Sequence, residues 1–417
     1  MDKKLWQIIE REIKRQEETL ELIPSENFVD LETLFIVGSP LMNKYAEGYP
    51  GKRYYPGNKY IDEIENLAKE RALKAFKLNP NKWSVNVQPY SGSPANLAVY
   101  LGLINPGEKI MGLNLFHGGH LTHGHKVSYT GKLFNSIQYG VKDKGIDFEE
   151  LKKLALEHKP KIIISGTTAY PRILDFKKFY EISKKVEAYH VADIAHISGL
   201  VIAGLHPSPF PYADVVTMTT HKTLRGPRGA VIFMRKELEE KINKSVFPGL
   251  QGGPHMHTIS GIAHAFVKAL KKDFYNYQKQ IVKNSKKLAE ELTKRGFELY
   301  TGGTDNHLMI IDLKPLNLDG KTAESLLERA NIIANRNSLP SDISPFNPSG
   351  IRLGAPAITS REMKEKEMIK IAEFFEKILI KKEKPEKIKK EVIALTKKFP
   401  LPCKKWLNYA NKIINHL

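Results

Sequence analysis

The sequence predicts an α/β protein with a large domain on a mostly parallel sheet and a smaller α+β domain. Between about Trp83 and Met234, short β-branched runs alternate with helical segments and glycines. After about Asp273 a long Lys-rich helical pattern leads into a second region with an apolar run at residues 308–313. A chain of 417 residues is long enough for two or three domains.

Four apolar runs predict buried strands, at residues 161–165, 188–193, 214–218 and 229–234. Between the first two runs, apolar side chains recur at spacings of three and four, as in an amphipathic helix: Phe176, Phe179, Ile182 and Val186. A strand, a helix and a second strand in succession favour a crossover connection. The two strands should therefore pair in parallel.

The first part of the chain predicts a helical docking arm. Across residues 3–22, one helical face carries Leu5, Ile9, Ile13 and Leu20, and Pro24 ends the helix. We expect an arm at residues 1–30, a large domain at 31–275 and a small domain at 276–417.

Composition excludes some classes of protein. The single Cys403 rules out a disulfide scaffold, the first twenty residues show no export signal, and every apolar run is shorter than the ~20 residues that cross a bilayer. We expect a cytoplasmic protein that does not bind membranes. Its net charge of +19 attracts anions in general. No recognised RNA or DNA motif is present, so nucleic acid is not expected as the main partner.

A lysine follows the third predicted strand directly. The apolar run at 214–218 leads into Thr219-Thr-His-Lys222. Ligands of open α/β sheets bind beyond the carboxyl ends of strands, and a shielded lysine there can lose its proton and act as a nucleophile toward a carbonyl group. An ordinary surface lysine is the alternative. The strand-end position favours the nucleophile.

Two further features resemble parts of a cofactor site. Asp193 ends an apolar run, where a carboxylate needs a cationic partner such as a pyridinium nitrogen. A helix cap or an internal ion pair is the alternative. Ser91, Gly92 and Ser93 precede an apolar helical stretch, and free amides at a helix N-terminus bind phosphate well. A simple helix cap explains these three residues equally well when they are taken alone.

An anchor lysine, a pyridinium carboxylate and a phosphate seat occur in the order found in fold-type-I pyridoxal-phosphate enzymes, which have an aspartate-aminotransferase-like large domain. The chain closely resembles the serine hydroxymethyltransferase family. The resemblance lies in Leu22-Ile-Pro-Ser-Glu-Asn27, Asn43-Lys-Tyr-Ala-Glu-Gly-Tyr-Pro-Gly-Lys-Arg-Tyr-Tyr55, His117-Gly-Gly-His-Leu-Thr-His-Gly124, Thr220-His-Lys-Thr-Leu224, Phe247-Pro-Gly-Leu-Gln-Gly-Gly-Pro254 and Ser349-Gly-Ile-Arg352. These segments span nearly the whole chain.

The resemblance implies roles around pyridoxal 5'-phosphate. Lys222 would be its covalent anchor, Asp193 the partner of its ring nitrogen, and His120 the imidazole stacked on its ring. The other implied cofactor contacts are Ser91, Gly92, Ser93, Thr168, His196, Tyr45 and Gly253. Catalytic roles are implied for Glu47, Tyr55 and His221, besides Lys222, Asp193 and His120.

The resemblance also implies the substrates and a homodimer. Arg352 would grip the carboxylate of serine or glycine, with Ser25, Glu47 and Tyr55 in the same pocket. A reduced pterin, tetrahydrofolate or tetrahydromethanopterin, would contact Leu115, Gly119, Leu121, Asn337, Ser344, Pro345 and Phe346. In the family, Tyr45, Glu47, Tyr55 and Gly253 serve the neighbouring subunit's site, so the resemblance implies shared active sites.

The residues taken alone leave other functions and other kinds of site possible. A threonine aldolase or an aminotransferase would need the same lysine and aspartate. Four histidines within residues 117–125 suggest zinc, but no nearby cysteine or carboxylate completes a ligand set, so no metal is expected. Asp319-Gly-Lys-Thr322 resembles a phosphate-binding loop but lacks its first glycine, and it fits a helix start better.

Overall fold

The computed structural model describes residues 2–342 and 347–416, with side chains described up to residue 412. It consists of two compact units. One unit is Phe35–Gln278, and the other combines Met1–Leu34 with Lys279–Leu417. The division expected from the sequence, at residues 1–30, 31–275 and 276–417, stays a prediction.

The described α-helices, in chain order, are α1 (Lys3–Glu18), α2 (Leu31–Val37), α3 (Lys59–Ala75), α4 (Gly92–Leu103), α5 (Tyr129–Leu133), α6 (Phe148–His158), α7 (Phe176–Lys185), α8 (Ser198–Ile202), α9 (Glu239–Lys244), α10 (Met256–Ala269), α11 (Lys272–Lys294), α12 (Gly320–Arg329), α13 (Pro356–Ser360), α14 (Glu365–Phe375), α15 (Pro385–Thr396) and α16 (Lys405–His416). Along the described residues, no helix is both long and apolar enough to span a bilayer.

The described strands are β1 (Leu20–Glu21), β2 (Gly48–Tyr49), β3 (Lys52–Arg53), β4 (Trp83–Asn86), β5 (Lys109–Leu113), β6 (Asn135–Tyr139), β7 (Val141–Lys142), β8 (Gly145–Ile146), β9 (Ile162–Gly166), β10 (Tyr189–Asp193), β11 (Val215–Thr219), β12 (Ala230–Arg235), β13 (Glu298–Leu299), β14 (Leu308–Asp312), β15 (Ile332–Ile333), β16 (Asn335–Asn337) and β17 (Gly350–Gly354).

The unit Phe35–Gln278 is built on a seven-stranded sheet of order β4-β12-β11-β10-β9-β5-β6. Neighbouring strands from β11 to β6 are parallel, while β12 is antiparallel to both β11 and β4. The four predicted strands match β9 to β12 within one residue at each end, and α7 lies between the parallel strands β9 and β10. The predicted crossover and the mostly parallel sheet are confirmed.

Helices cover both faces of this sheet, which explains why its strands read as continuous apolar runs. Successive residues of β9 point to opposite faces. Ile162 and Ile164 pack with Tyr100 of α4 in one core, whereas Ile163 packs with Phe179 of α7 in the other. Polar side chains are therefore left to the strand ends, where a ligand can reach them.

The other unit carries a four-stranded antiparallel sheet of order β13-β14-β17-β16, with helices α12 and α14 to α16 in the same unit. The predicted apolar run at 308–313 forms β14. Asp319 caps α12, since its Oδ1 accepts the Thr322 N–H at 2.9 Å. The segment that resembled a phosphate-binding loop is thus a helix start, as predicted.

The predicted helix over residues 3–22 is wrong at its C-terminal end. Helix α1 ends at Glu18, and Thr19 is already extended. Leu20 is fully buried in β1, which pairs in parallel with β15 through a bond from the Leu20 N–H to the Asn331 carbonyl at 2.9 Å. Pairing with a distant strand thus outweighed the local helical periodicity.

Candidate active site

Lys222 lies in a tight turn three residues after β11. The Arg225 N–H donates to the Lys222 carbonyl at 3.0 Å, and Arg225 has a left-handed φ of +62°. Thr223 is fully buried, and its hydroxyl oxygen accepts the Gly199 N–H at 3.0 Å. The turn at Arg225 and the buried Thr223 therefore fix the backbone on the C-terminal side of the half-buried Lys222.

His221 precedes the lysine and is uncharged at neutral pH. Burial, together with the positive charges of Arg228 and Lys222, lowers its pKa to about 3. Its Nδ1 atom is buried and has no hydrogen-bond partner among the described residues. A neutral imidazole beside an amine adds no charge of its own to the turn.

Asp193 is the last residue of β10, and 11 % of its side chain is exposed. Its Oδ2 accepts from His123 Nε2 at 3.0 Å and from Asn96 Nδ2 at 2.9 Å, and its Oδ1 accepts the Ala195 N–H at 3.0 Å. Burial by itself raises the pKa of this carboxyl. The hydrogen bonds and the charges of His123 and His120 outweigh burial, so the pKa lies well below its usual range.

His123 and Asn96 both contact Asp193, and sequence reasoning missed them. The His123 Nδ1 atom accepts the His120 N–H at 3.3 Å, so a neutral His123 carries its proton on Nε2, where it faces Asp193. Asn96 Oδ1 accepts from the Thr217 hydroxyl at 2.7 Å. The sequence did contain a signal for Asn96, because this asparagine interrupts the otherwise apolar pattern of helix α4, in which it is buried.

His120 is held next to this carboxylate network. Its Nδ1 lies 2.7 Å from Thr122 Oγ1, and Asn96 Nδ2 donates to the same Thr122 oxygen at 2.8 Å. The structure thus brings His120 and Asp193 together through shared partners. His196 is buried as well, and its carbonyl accepts from the Thr223 hydroxyl at 3.1 Å. Lys222, His120, His196 and Asp193 therefore belong to one neighbourhood of the sheet.

The predicted phosphate seat forms the N-terminus of α4. Ser91 is the N-cap, but its hydroxyl makes no capping bond and is left available to a ligand. A Cβ at Gly92 would lie only 2.9 Å from Thr219 Cγ2, so glycine allows the helix start to approach the end of β11. The seat is therefore adjacent to the strand that leads to Lys222.

Thr168 and the predicted pterin contacts of this unit lie around a glycine turn. The Thr168 N–H donates to the Gly118 carbonyl at 2.7 Å, and the Gly119 N–H donates to the Asn114 carbonyl at 3.0 Å. Leu115 begins the short helical turn before these glycines, and Leu121 is 43 % exposed. An exposed leucine beside His120 can contact a planar ligand.

Glu47, Tyr45, Tyr55 and Gly253 form a second cluster of the same unit. The Tyr45 and Tyr55 rings meet edge to face with centroids 5.2 Å apart, and they are 57 % and 43 % exposed. A Cβ at Gly253 would lie 3.1 Å from Tyr45 Cε1, and one at neighbouring Gly252 would lie 3.2 Å from Glu47 Oε1. The resemblance assigned these residues to a shared site, and the fold gathers them on an exposed surface.

Arg53 fixes the backbone on both sides of Glu47. Its Nη1 donates to the carbonyls of Ala46 and Gly48, each at 2.8 Å. Its Nε binds Asp62 at 2.8 Å, and its Nη2 binds Glu65 at 2.6 Å. Because the guanidinium is buried and held by two carboxylates, the peptide that carries Glu47 is held rigidly.

Arg352, Asn337 and Ser25 belong to the other compact unit. Arg352 is buried in β17, its Nε donates to Asn335 Oδ1 at 3.1 Å, and burial lowers its pKa to about 10. It therefore stays charged at neutral pH. Asn337 lies opposite Gly350 in the neighbouring strand. Pro24, next to Ser25, packs so closely on Gly354 that a Cβ there would clash.

Ser344, Pro345 and Phe346 lie outside the described residues.

A comparison with protein families gives a match over most of the chain. The family model described as serine hydroxymethyltransferase matches residues 1–375 of the 417 in the chain. Members of this family are pyridoxal-phosphate-dependent glycine/serine hydroxymethyltransferases of fold type I. From its sequence match, its mostly parallel sheet and its strand-end lysine and aspartate, the chain belongs to the serine hydroxymethyltransferase family.

Proposed function

We propose that this enzyme reversibly transfers the hydroxymethyl carbon of serine to a reduced pterin, tetrahydrofolate or tetrahydromethanopterin, and that it works in the cytoplasm. The products are glycine and the methylene-pterin. One observation carries the proposal: a single compact unit holds a strand-end lysine, an ionised buried aspartate and an uncapped helix N-terminus. The lysine would bind the aldehyde of pyridoxal 5'-phosphate, the aspartate its ring nitrogen and the helix N-terminus its phosphate.

The donor chemistry of the residues fits this cofactor. Asp193 keeps its negative charge although it is largely buried, so it can stabilise a protonated ring nitrogen. The Ser91 hydroxyl and the first amides of α4 can receive the phosphate, because no capping bond from Ser91 uses them. The Lys222 amine would hold the aldehyde covalently, and His120 would lie against the ring. When bound, the cofactor supplies an electron sink for the substrate's Cα.

Substrate binding rests on Arg352 in this proposal. A guanidinium offers a planar pair of N–H donors that matches a carboxylate, and a fixed carboxylate orients the bonds at Cα. Ser25 would complete the carboxylate contacts. Glu47 would hold or move a proton at the serine hydroxyl, with Tyr55 beside it. His221, neutral because its pKa is about 3, would leave the charge of the lysine turn unchanged.

A homodimer with shared sites is part of the proposal. The cluster that contains Glu47 lies in an exposed aromatic surface, in which Tyr45 is 57 %, Tyr54 73 % and Tyr55 43 % exposed. Large exposed aromatic side chains close together are typical of an interface. A second copy of the chain that covers this surface would receive Glu47 and Tyr55 at its own site, with Gly253 near its cofactor phosphate.

The pterin would lie against the glycine turn of the larger unit. Leu115, Gly119 and the exposed Leu121 would offer apolar contacts, and the resemblance adds the amide of Asn337. Parallel assays with serine and either tetrahydrofolate or tetrahydromethanopterin test which carrier is used. The preferred carrier should give methylene-pterin at the higher kcat/KM. Failure with both carriers would contradict the transferase proposal.

Replacement of the anchor tests the cofactor assignment. Lys222→Ala should lose the visible absorption band of bound pyridoxal phosphate and reduce turnover by several orders of magnitude. Lys177→Ala, at a lysine whose side chain is 65 % exposed on α7, is the matched control and should retain both. Normal turnover in Lys222→Ala would rule out the assignment.

Replacement of Glu47 separates the transfer step from cofactor binding. Glu47→Gln keeps the size of the side chain but removes its ability to accept a proton. Cofactor affinity should stay within about twofold, whereas pterin-dependent serine cleavage should fall by roughly 10²-fold or more, the usual contribution of a general acid or base. Unchanged cleavage would show that Glu47 does not carry the proton.

A further inference from the structure

Tyr90 connects the phosphate seat to a loop distant in sequence. It directly precedes Ser91 and makes three contacts with residues 251–255. Its hydroxyl donates to the Gly253 carbonyl at 2.8 Å, and its N–H donates to Gln251 Oε1 at 3.0 Å. Its ring stacks on His255 with centroids 4.2 Å apart and planes inclined by only 7°. Tyr90 thus contacts both ends of the loop at residues 251–255, through its backbone N–H at one end and its ring at the other.

The loop has little regular structure of its own to fix it. Residues 251–255 precede α10, and His255 is the N-cap of that helix but makes no side-chain capping bond. Gln251 adds one more tie to the seat segment, since its Nε2 donates to the Gln88 carbonyl at 3.0 Å. His255 also stacks on His257 of α10 with centroids 5.7 Å apart, so Tyr90 joins a loop that is anchored to α10 on one side to the seat on the other.

The same loop faces the cluster that contains Glu47. Gly252 is next to the Glu47 carboxylate, and Gly253 lies against the Tyr45 ring. Burial, followed by the charges of Tyr45 and Glu47, raises the pKa of the Tyr90 phenol, so the phenol stays protonated at neutral pH. A protonated phenol is the form that can donate to the Gly253 carbonyl.

We propose that Tyr90 and His255 are positioning residues that hold the Gly252–Gly253 segment against the Ser91–Ser93 seat. In the proposed dimer the seat receives the phosphate of its own chain's cofactor and the loop lies near the phosphate of the second copy's cofactor, so phosphate binding depends on Tyr90 and His255 through both. This inference rests on the proposed function, because it assumes that the seat receives pyridoxal 5'-phosphate. Neither residue needs to touch the cofactor. Their effect passes through the loop and through the backbone at the start of α4.

Tyr90→Phe gives the sharpest test, because it removes the bond to Gly253 and keeps the ring for stacking. We expect its Kd for pyridoxal 5'-phosphate to rise about fivefold, the net worth of one neutral hydrogen bond. The Kd for pyridoxal, which has the aldehyde and ring but no phosphate, should not change. His255→Ala removes the stack and should raise the same Kd about threefold. Tyr180→Phe, on α7, is the control and should match the parent chain with both ligands.

The ratio of the two dissociation constants decides the outcome, because a general loss of structure would weaken both ligands alike. The inference is overturned if Tyr90→Phe changes the Kd values for pyridoxal 5'-phosphate and for pyridoxal by the same factor, or changes neither. It is also overturned if His255→Ala leaves the ratio of these two Kd values unchanged. Borohydride trapping of the cofactor on the parent chain is measured alongside. Failure to trap it there would count against the proposed function itself, whereas trapping with an unchanged ratio counts against the positioning role alone.

Discussion

The buried guanidinium of Arg53 is held by two carboxylates, those of Asp62 and Glu65. The Arg53 side chain is 4 % exposed and that of Glu65 is 1 % exposed, and the two are joined by a 2.6 Å contact. Glu65 also accepts from Gln88 Nε2 at 3.0 Å. The perturbation is Glu65→Ala, which removes the more deeply buried acceptor and leaves the guanidinium in place.

The expected loss of stability depends on which partners the Arg53 guanidinium keeps after Glu65 is removed. Breaking a buried ion pair on one side costs roughly 3–5 kcal/mol, because it leaves a buried charge without compensation. Asp62 still binds Arg53 at 2.8 Å and is 24 % exposed, which places the cost at the lower end. Loss of the bond from Gln88 Nε2 to Glu65 adds about 1 kcal/mol, although the same nitrogen still donates to the Gly48 carbonyl at 3.0 Å. We therefore expect Glu65→Ala to lower the free energy of unfolding of this unit by about 4 kcal/mol.

Urea unfolding followed by tryptophan fluorescence measures this loss. Trp83 lies in the same unit and is 4 % exposed, so a chain with Trp6→Phe and Trp406→Phe reports on that unit alone. Asp62→Ala is the matched control, with an expected cost of about 1 kcal/mol because that carboxylate is partly solvated. A loss in Glu65→Ala that is no larger than the control's would refute the view that Arg53 depends on a buried partner.

Two further predictions concern the unit that contains the chain's N-terminal residues. Glu21 is buried, and burial followed by repulsion from Glu26 raises its pKa from 4.5 to about 8. Its contribution to stability is therefore complete below pH 4.5 and is lost as the pH rises through 8. Urea midpoints of the parent at pH 5 and pH 9 should therefore differ by more than those of Glu21→Gln, and equal differences would contradict the assignment. Arg361 is 2 % exposed and donates to five backbone carbonyls, among them Thr19 at 2.8 Å and Thr396 at 2.9 Å. Arg361→Met should cost about 3 kcal/mol or more and speed hydrogen exchange in α1, whereas unchanged exchange would show that α1 is held in place without the guanidinium.

Local pattern predicted four of the seven strands of the large sheet, and it singled out one polar residue at or just beyond the end of two of them. Buried parallel strands are continuous apolar runs, so a polar residue at the end of such a run stands out, as Lys222 and Asp193 do. The same reasoning failed at Leu20, whose apolar side chain fits a helical face equally well. Its actual partner is β15, far along the chain, and no local pattern reports that pairing.

The residues that sequence reasoning missed act through contacts between distant segments. His123 looked like one member of a histidine-rich turn, and only the fold places its Nε2 against Asp193. Arg53 stands next to a tyrosine pair, and its bonds to the carbonyls beside Glu47 depend on β2, β3 and α3 coming together. Roles of this kind cannot be predicted from spacing, because the partner's identity is set by the tertiary structure.

Two buried charges of this enzyme are stabilised in opposite ways, and the difference separates a structural role from a functional one. Arg53 is matched by two carboxylates, so its charge is already neutralised within the protein. Asp193 is held by an asparagine amide, a backbone N–H and the Nε2 atom of His123. The amide and backbone donors stabilise the ionised carboxylate without cancelling its charge, and the charges of His123 and His120 lower its pKa further, so an ionised carboxylate is ready for a cation. A protonated pyridine ring is a cation of the right kind, and its binding would offset the cost of burying the carboxylate.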